Sequence, residues 1–329
     1  MRALIHTTIL AIIAMLACAL LAGGVSAAER SKPRAAAPSW MKSKQIRKRI
    51  RAAGDKGVRI RTIRRWVRRG LAGKRAQQDD PPMMPCPNAD PSTDDVYSGQ
   101  CVVFPAGCTA NFLFKIGAEP LPAASDGRTA FIGTAGHCVD HANQTVFMQR
   151  GPTIIAVGVV RKHVNGGIGN DFAAIRVNEG LTLDPHSPAG GPQGIYTGCE
   201  PQAVKYWGHG FGVLVGPGKL EGGLATNWFD RAFAWTGAGL PGDSGSGVTI
   251  AGTDAAAGDF THLVIDTKYP GSDLAGTRIT RILGFLGGNY FLVNQDRTTA
   301  RATRADTDCG NASNGGGPVL PVLPAAPLP

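Results

Sequence analysis

Past residue 100 the chain is written in short runs, "CTANFLFKIG", "TAFIGTAGHC", "TIIAVGVVRK", "DFAAIRVN", "AVKYWGHG", "GVTIAG" and "HLVIDTKY", each rich in β-branched, aromatic and small residues. Gly, Pro, Asn and Asp separate them. Beyond residue 80 almost nothing repeats apolar residues at helical spacing, "RITRILGFLGG" excepted. Runs this short cannot supply long amphipathic helices, and the spacing predicts an all-β sandwich or barrel. A chain of 329 residues is long enough for two such lobes. No internal repeat is visible.

The first 100 residues differ. Arg2, an apolar run from Ile9 to Ala22 and the small residues of "GGVSAA" predict a secretory signal over 1–27, cut near Ala27. The run is shorter than the ~20 residues that span a bilayer, so no stable membrane insertion is expected. Residues 28–80 form a basic leader. Residues 28–75 hold 18 Lys+Arg against two acids, whereas 76–329 hold 15 Lys+Arg against 22 acids. The net charge of +10 therefore belongs to the leader and does not mark the main body as a nucleic-acid binder. Ile46 and Ile50, then Ile60, Ile63, Trp66 and Val67, predict two short amphipathic helices with too little apolar surface to fold alone. Such a leader suits a propeptide that covers or helps fold the acidic body, an anion-binding arm, or a solvated extension. Residues 81–99 read as a linker and 301–329 as a Gly- then Pro-rich tail.

Once Cys18 leaves with the signal, six cysteines remain: Cys86, Cys101, Cys108, Cys138, Cys199 and Cys309. An even number suits disulfides in a secreted, extracellular or wall-associated protein, and no C-x-x-C pair suggests a metal. The spacing alone leaves the pairing open.

The stretch with chemical content is "GLPGDSGSG", Gly239 to Gly247. A serine hydroxyl is a poor nucleophile unless a base lies within hydrogen-bond reach and a third group orients that base. "TAGHC" sets His137 at the end of a strand and "GNDFAAIRV" sets Asp171 at the start of another, so the turns of a β-barrel can bring both to Ser244. Gly242 can adopt backbone angles closed to other residues, aiming its N–H, with that of Ser244, at a developing oxyanion. Asp243 is expected to lock the loop through a buried ion pair. His141 follows His137 by four, but "HCVDH" lacks the Glu a zinc hydrolase needs as base, so neither metal nor cofactor is expected. His163, His186, His209 and His262 have no motif context and read as surface or core residues.

"TAGHC", "NDFAAI" and "GDSGSG", in that order over about residues 100–290, resemble the chymotrypsin-like (trypsin-like) serine proteases, in particular their secreted bacterial branch. The resemblance implies two six-stranded antiparallel β-barrels, 100–188 and 189–300, with the active site in the cleft between them. It implies His137 as general base, Asp171 as its orienting acid, Ser244 as nucleophile, and Gly242 with Ser244 as oxyanion hole. It also implies a Cys108–Cys138 disulfide, and Lys205 as the internal cation for Asp243. Ser246 stands where the family has a second glycine and is expected to narrow the subsite beside the nucleophile. Ala238, six residues before Ser244, replaces the Asp of trypsin-type pockets and predicts an uncharged floor, with Thr267, Lys268 and Tyr269 of "VIDTKYPG" in the opposite wall.

The expected function is a secreted serine endopeptidase, made as a zymogen, acting on proteins or peptides, with its own propeptide as a further partner. The alternatives are a catalytically silent binding protein of this fold, or a basic leader that does the binding and carries a β body as cargo.

Overall fold

The structure, a computed structural model, describes residues 35–36, 39–72, 95–210, 218–264, 271–302 and 309. The expected signal (1–27), the tail from 310 onward, Cys86 and the pocket residues Thr267, Lys268 and Tyr269 lie outside the described residues. Among the described residues no helix is long and apolar enough to cross a membrane.

The body is all-β and built as two units. The second is a closed six-stranded antiparallel barrel of Gln202–Gly208, Lys219–Trp228, Ala232–Gly237, Leu274–Arg278, Ala256–Leu263 and Gly247–Ile250, in that spatial order. Alternation along these strands sends Trp228, Phe233, Trp235, Tyr206 and Phe260 inward. Phe233 stacks on Trp228 and on Trp235 at 5.1 and 5.0 Å. The first unit is an 11-stranded sheet whose central strands include Thr145–Arg150, Thr153–Asn165, Asp171–Val177 and Ala130–Thr134. Val102, Leu113, Ile132, Val146, Val157 and Ile175 fill its interior.

Segments from before and after the body join this first sheet. Tyr290–Val293 pairs with Leu113–Ile116, so the segment expected at the end of the second barrel returns to the first unit. α1 (Ile279–Leu286) leads it there, burying Ile279, Ile282, Leu283 and Leu286 against Phe112, Phe114 and Phe172 of the first unit and Ala256 of the second. From the leader, Ala35–Ala36 pairs with Ala106–Thr109, and Val58–Arg59 with Thr153–Asn165. Strands of two residues have no periodicity to read, which is why the sequence does not announce them.

The two expected leader helices form at Lys44–Ala52 and Ile60–Arg68. Ser43 caps the first, its hydroxyl oxygen accepting from the Ile46 N–H. Ile46, Ile50, Ile60, Ile63 and Val67 are buried against Val103, Phe147 and Ile154 on the outside of the first sheet. Each fully buried side chain of this size stabilises by roughly 1.5–3 kcal/mol. The leader's small apolar face, insufficient alone, is thus completed by the body. Arg47 stacks over Phe104 at 4.4 Å, while Lys48, Arg51, Arg61, Arg65 and Arg68 point to solvent.

Candidate active site

Strand register brings His137 and Asp171 together. Ala173 pairs with Thr134, so two residues back along one antiparallel strand and two forward along the other, Asp171 lies level with Gly136. A β-carbon on Gly136 would stand 1.8 Å from the Val164 carbonyl and 2.8 Å from Asp171 Oδ1, so only glycine lets the His137 turn approach. Asp171 Oδ1 accepts from the His137 backbone N–H and Oδ2 from Nδ1, each at 2.7 Å, with both side chains fully buried. A carboxylate accepting at Nδ1 leaves the lone pair on Nε2. That atom is buried without a hydrogen-bond partner among the described residues.

The second unit supports Asp171 from behind. Thr277 Oγ1 accepts from the Asp171 N–H at 3.3 Å and donates to its carbonyl at 3.2 Å. The Thr277 N–H in turn donates to Asp259 at 3.1 Å. Burial, followed by the nearby Asp171 charge, pushes the Asp259 carboxyl well above its usual range.

The strand Ala106–Thr109 ties the Ser244 loop to the turn that carries His137. The Thr109 N–H donates to the Ser244 carbonyl at 2.9 Å, and Cys108 is bridged to Cys138, next to His137. Thr109 Oγ1 donates to the Gly242 carbonyl at 2.9 Å and accepts from the His209 N–H at 3.1 Å. Gly242 has φ +110°, and a β-carbon there would lie 2.8 Å from the His209 carbonyl. Its N–H has no partner among the described residues. Ser244 and His137 are both closed off from solvent, at 0% and 1% exposure. Cys108, His137 and Cys138 are close enough to suggest a metal site, but the two sulfurs are bonded to each other.

Three residues around the Ser244 loop depart from expectation. Lys205 pairs with Asp254 at 2.6 Å and not with Asp243, because its strand is aligned beside Gly247–Ile250, whose hairpin carries Asp254. Asp243 accepts instead from the backbone N–H groups of Gly210 and Leu240, with no ion pair among the described residues. Burial, and next the Glu221 charge, push its carboxyl up to about 7. Ser246 does not face a subsite, since its hydroxyl donates inward to the Asp243 carbonyl at 2.6 Å.

Ala238 is exposed, and its carbonyl lies 2.8 Å from the Tyr206 hydroxyl, which is also 2.7 Å from Glu221 Oε2. Glu221 pairs with Lys219 as well. Sequence reading missed Glu221 because nothing in "KLEGG" distinguishes a buried acid from a surface one. His262, read as a surface or core residue, is 3.9 Å from Asp171. Cys199 is bridged to Cys309, and Cys101 is also disulfide-bonded.

No family model matches the chain, and no curated protein does. Among solved structures, Cellulomonas bogoriensis chymotrypsin aligns at 20% identity over 59% of this chain and 96% of that one, with a TM-score of 0.41. The thermostable serine protease AL20 from an extremophilic microorganism aligns at 16% identity over 52% and 83%, with a TM-score of 0.33. A Glu endopeptidase aligns at 16% identity over 54% and 88%, with a TM-score of 0.35.

Proposed function

We propose that this protein is a secreted serine endopeptidase acting through an acyl-enzyme. The observation that carries the reading is the doubly hydrogen-bonded His137–Asp171 pair, fully buried, beside a glycine-shaped loop bearing Ser244. His137 Nε2 takes the Ser244 hydroxyl proton as the oxygen attacks the scissile carbonyl. Asp171 holds the tautomer and stabilises the imidazolium. The Gly242 and Ser244 N–H groups receive the oxyanion, which collapses as His137 protonates the leaving amine. Water then enters by the same route, and no cofactor takes part.

The leader is proposed to be a propeptide that acts on the same site. Ala35 pairs with Gly107, two residues from the Thr109 that touches Ser244, so the leader holds the strand edge along which an extended peptide would approach. With Ser244 and His137 closed to solvent, removal or displacement of that strand is the activating step of the proposed zymogen. The uncharged Ala238 supports cleavage after uncharged residues rather than after Arg or Lys.

A fluorophosphonate probe tests this on the secreted protein after removal of the leader. Covalent labelling of Ser244 is expected, lost in Ser244→Ala together with peptidase activity, by on the order of 10⁶-fold. A folded secreted protein that neither labels nor hydrolyses any peptide of a random library would leave the silent binding protein as the better reading.

A further inference from the structure

His262 belongs to the second barrel, on the strand Ala256–Leu263, yet its imidazole lies against the triad. Pairing with Leu274–Arg278 skips from Phe260 to His262, and the extra residue at Thr261 re-aims the side chain. The ring is buried, with 6% of the residue exposed. Its Nδ1 is 2.8 Å from Thr261 Oγ1, and that hydroxyl donates its single proton to the Ala275 carbonyl at 3.3 Å. The same Nδ1 stands 3.9 Å from Asp171 Oδ2, the oxygen that accepts from His137. The two imidazoles meet edge-on, with centroids 5.9 Å apart.

The charged and titratable groups around this ring are few among the described residues. Asp171 and His137 face it from the first unit. His163 lies beyond them, its Nε2 3.1 Å from the Gly136 carbonyl. Asp259, on its own strand, is fully buried, and burial holds its carboxyl well above the usual carboxylate range. Arg278, on the neighbouring strand, directs its guanidinium to the carbonyls of Phe229, Thr197 and Gly198. Asp171 is thus the carboxylate that both imidazoles share.

We propose that His262 is a positioning residue of the triad, sharing the Asp171 carboxylate with His137, so that His137 acts as the base only while His262 is neutral. The inference rests on the triad reading above. A proton on His262 sets a cation beside Asp171, offsetting the charge that stabilises the His137 imidazolium, and the two positive rings then repel. Protons bound by the two rings are coupled, and the acid limb of the rate profile belongs to the pair.

Two measurements test it. For the secreted protein, kcat/KM is expected to fall on acidification with the second power of the proton concentration below both ionisations, and in His262→Gln with the first power only. A first-power fall in the wild type, or a second-power fall kept by the variant, overturns the proposal. Should the variant not fold, imidazole NMR titration of the full-length Ser244→Ala protein decides. Each of His137 and His262 is expected to titrate in two steps, and independent single-step curves overturn the coupling. Absence of turnover in the secreted wild type would count against the peptidase reading alone, because the titration reports the shared carboxylate without catalysis.

Discussion

Acidification should unlock the loop of Ser244 through His209, a residue outside the proposed triad. His209 is buried at 3% exposure with Nε2 donating to the Gly99 carbonyl at 2.8 Å, and Nδ1 has no hydrogen-bond partner among the described residues. Burial lowers its pKa from 6.5 to about 4. The folded protein thus binds fewer protons than the unfolded chain between about pH 4 and 6.5, and stability from this group is present above that window and lost as pH falls through it. At 1.36 kcal/mol per unit, the loss is about 3 kcal/mol. His209→Gln keeps a donor for Gly99 but cannot titrate. Urea denaturation of both proteins at about pH 7 and pH 4 gives the comparison. The variant should lose about 3 kcal/mol less than the wild type across that interval, whatever its stability at neutral pH. Parallel pH profiles would show that His209 is solvated enough to protonate without cost. Because the His209 N–H donates to Thr109, and Thr109 to the Gly242 carbonyl, the wild type should also lose the backbone geometry of the proposed oxyanion donors as this transition proceeds.

Asp243 has the opposite sign: with a carboxyl raised from 3.8 to about 7, it contributes stability below its unfolded value that is lost as pH rises through about 7. Glu221→Gln removes the neighbouring charge, so Tm should fall less between about pH 5 and 8 in the variant, and an unchanged slope would refute the coupling. Ala238→Asp should favour Arg over Leu before the scissile bond by only about fivefold in kcat/KM, since Ala238 is exposed and its carboxylate would act through solvent. A shift of a hundredfold or more on matched peptides would mean that the pocket closes over this position. Ile63→Asp places an unpaired charge in the fully buried face of the leader, and limited proteolysis should then cut within 39–72, where the wild type resists. Equal resistance would contradict the packing of the leader on the first sheet.

How much of this was legible depended on how local each cause is. The β runs could be read because alternation and turn residues act within a few positions. The His137, Asp171 and Ser244 motifs could be read because each demands its own small neighbours, as Gly136 shows by its approach to Val164 and Asp171. What escaped reading depends on register between distant segments. Lys205 is basic and lies in the expected strand, yet its partner is decided by which hairpin runs alongside, and that brings Asp254. Ser246 looked like a subsite residue because sequence does not say which way a hydroxyl turns inside a tight loop. The bulge that re-aims His262 is one extra residue in one strand, with no signature in "FTHLV".

The same distinction explains why buried polar groups concentrate where the units meet. Asp171 has its carboxylate in the first unit and its backbone on Thr277 of the second, and Thr109 of the first unit holds Gly242 of the second. Neither unit alone can satisfy these groups, and each unpaired buried one costs about 1–3 kcal/mol. Correct docking of the units is therefore favoured by the hydrogen bonds that shape the site, and displacement at the seam disturbs Asp171 and the Gly242–Ser244 loop together. α1 and the returning strand Tyr290–Val293 add apolar burial across that seam, with Phe112, Phe172 and Ala256 in one cluster. Polar bonds set the geometry of the contact, and the aromatic cluster supplies the non-directional stabilisation that keeps it closed.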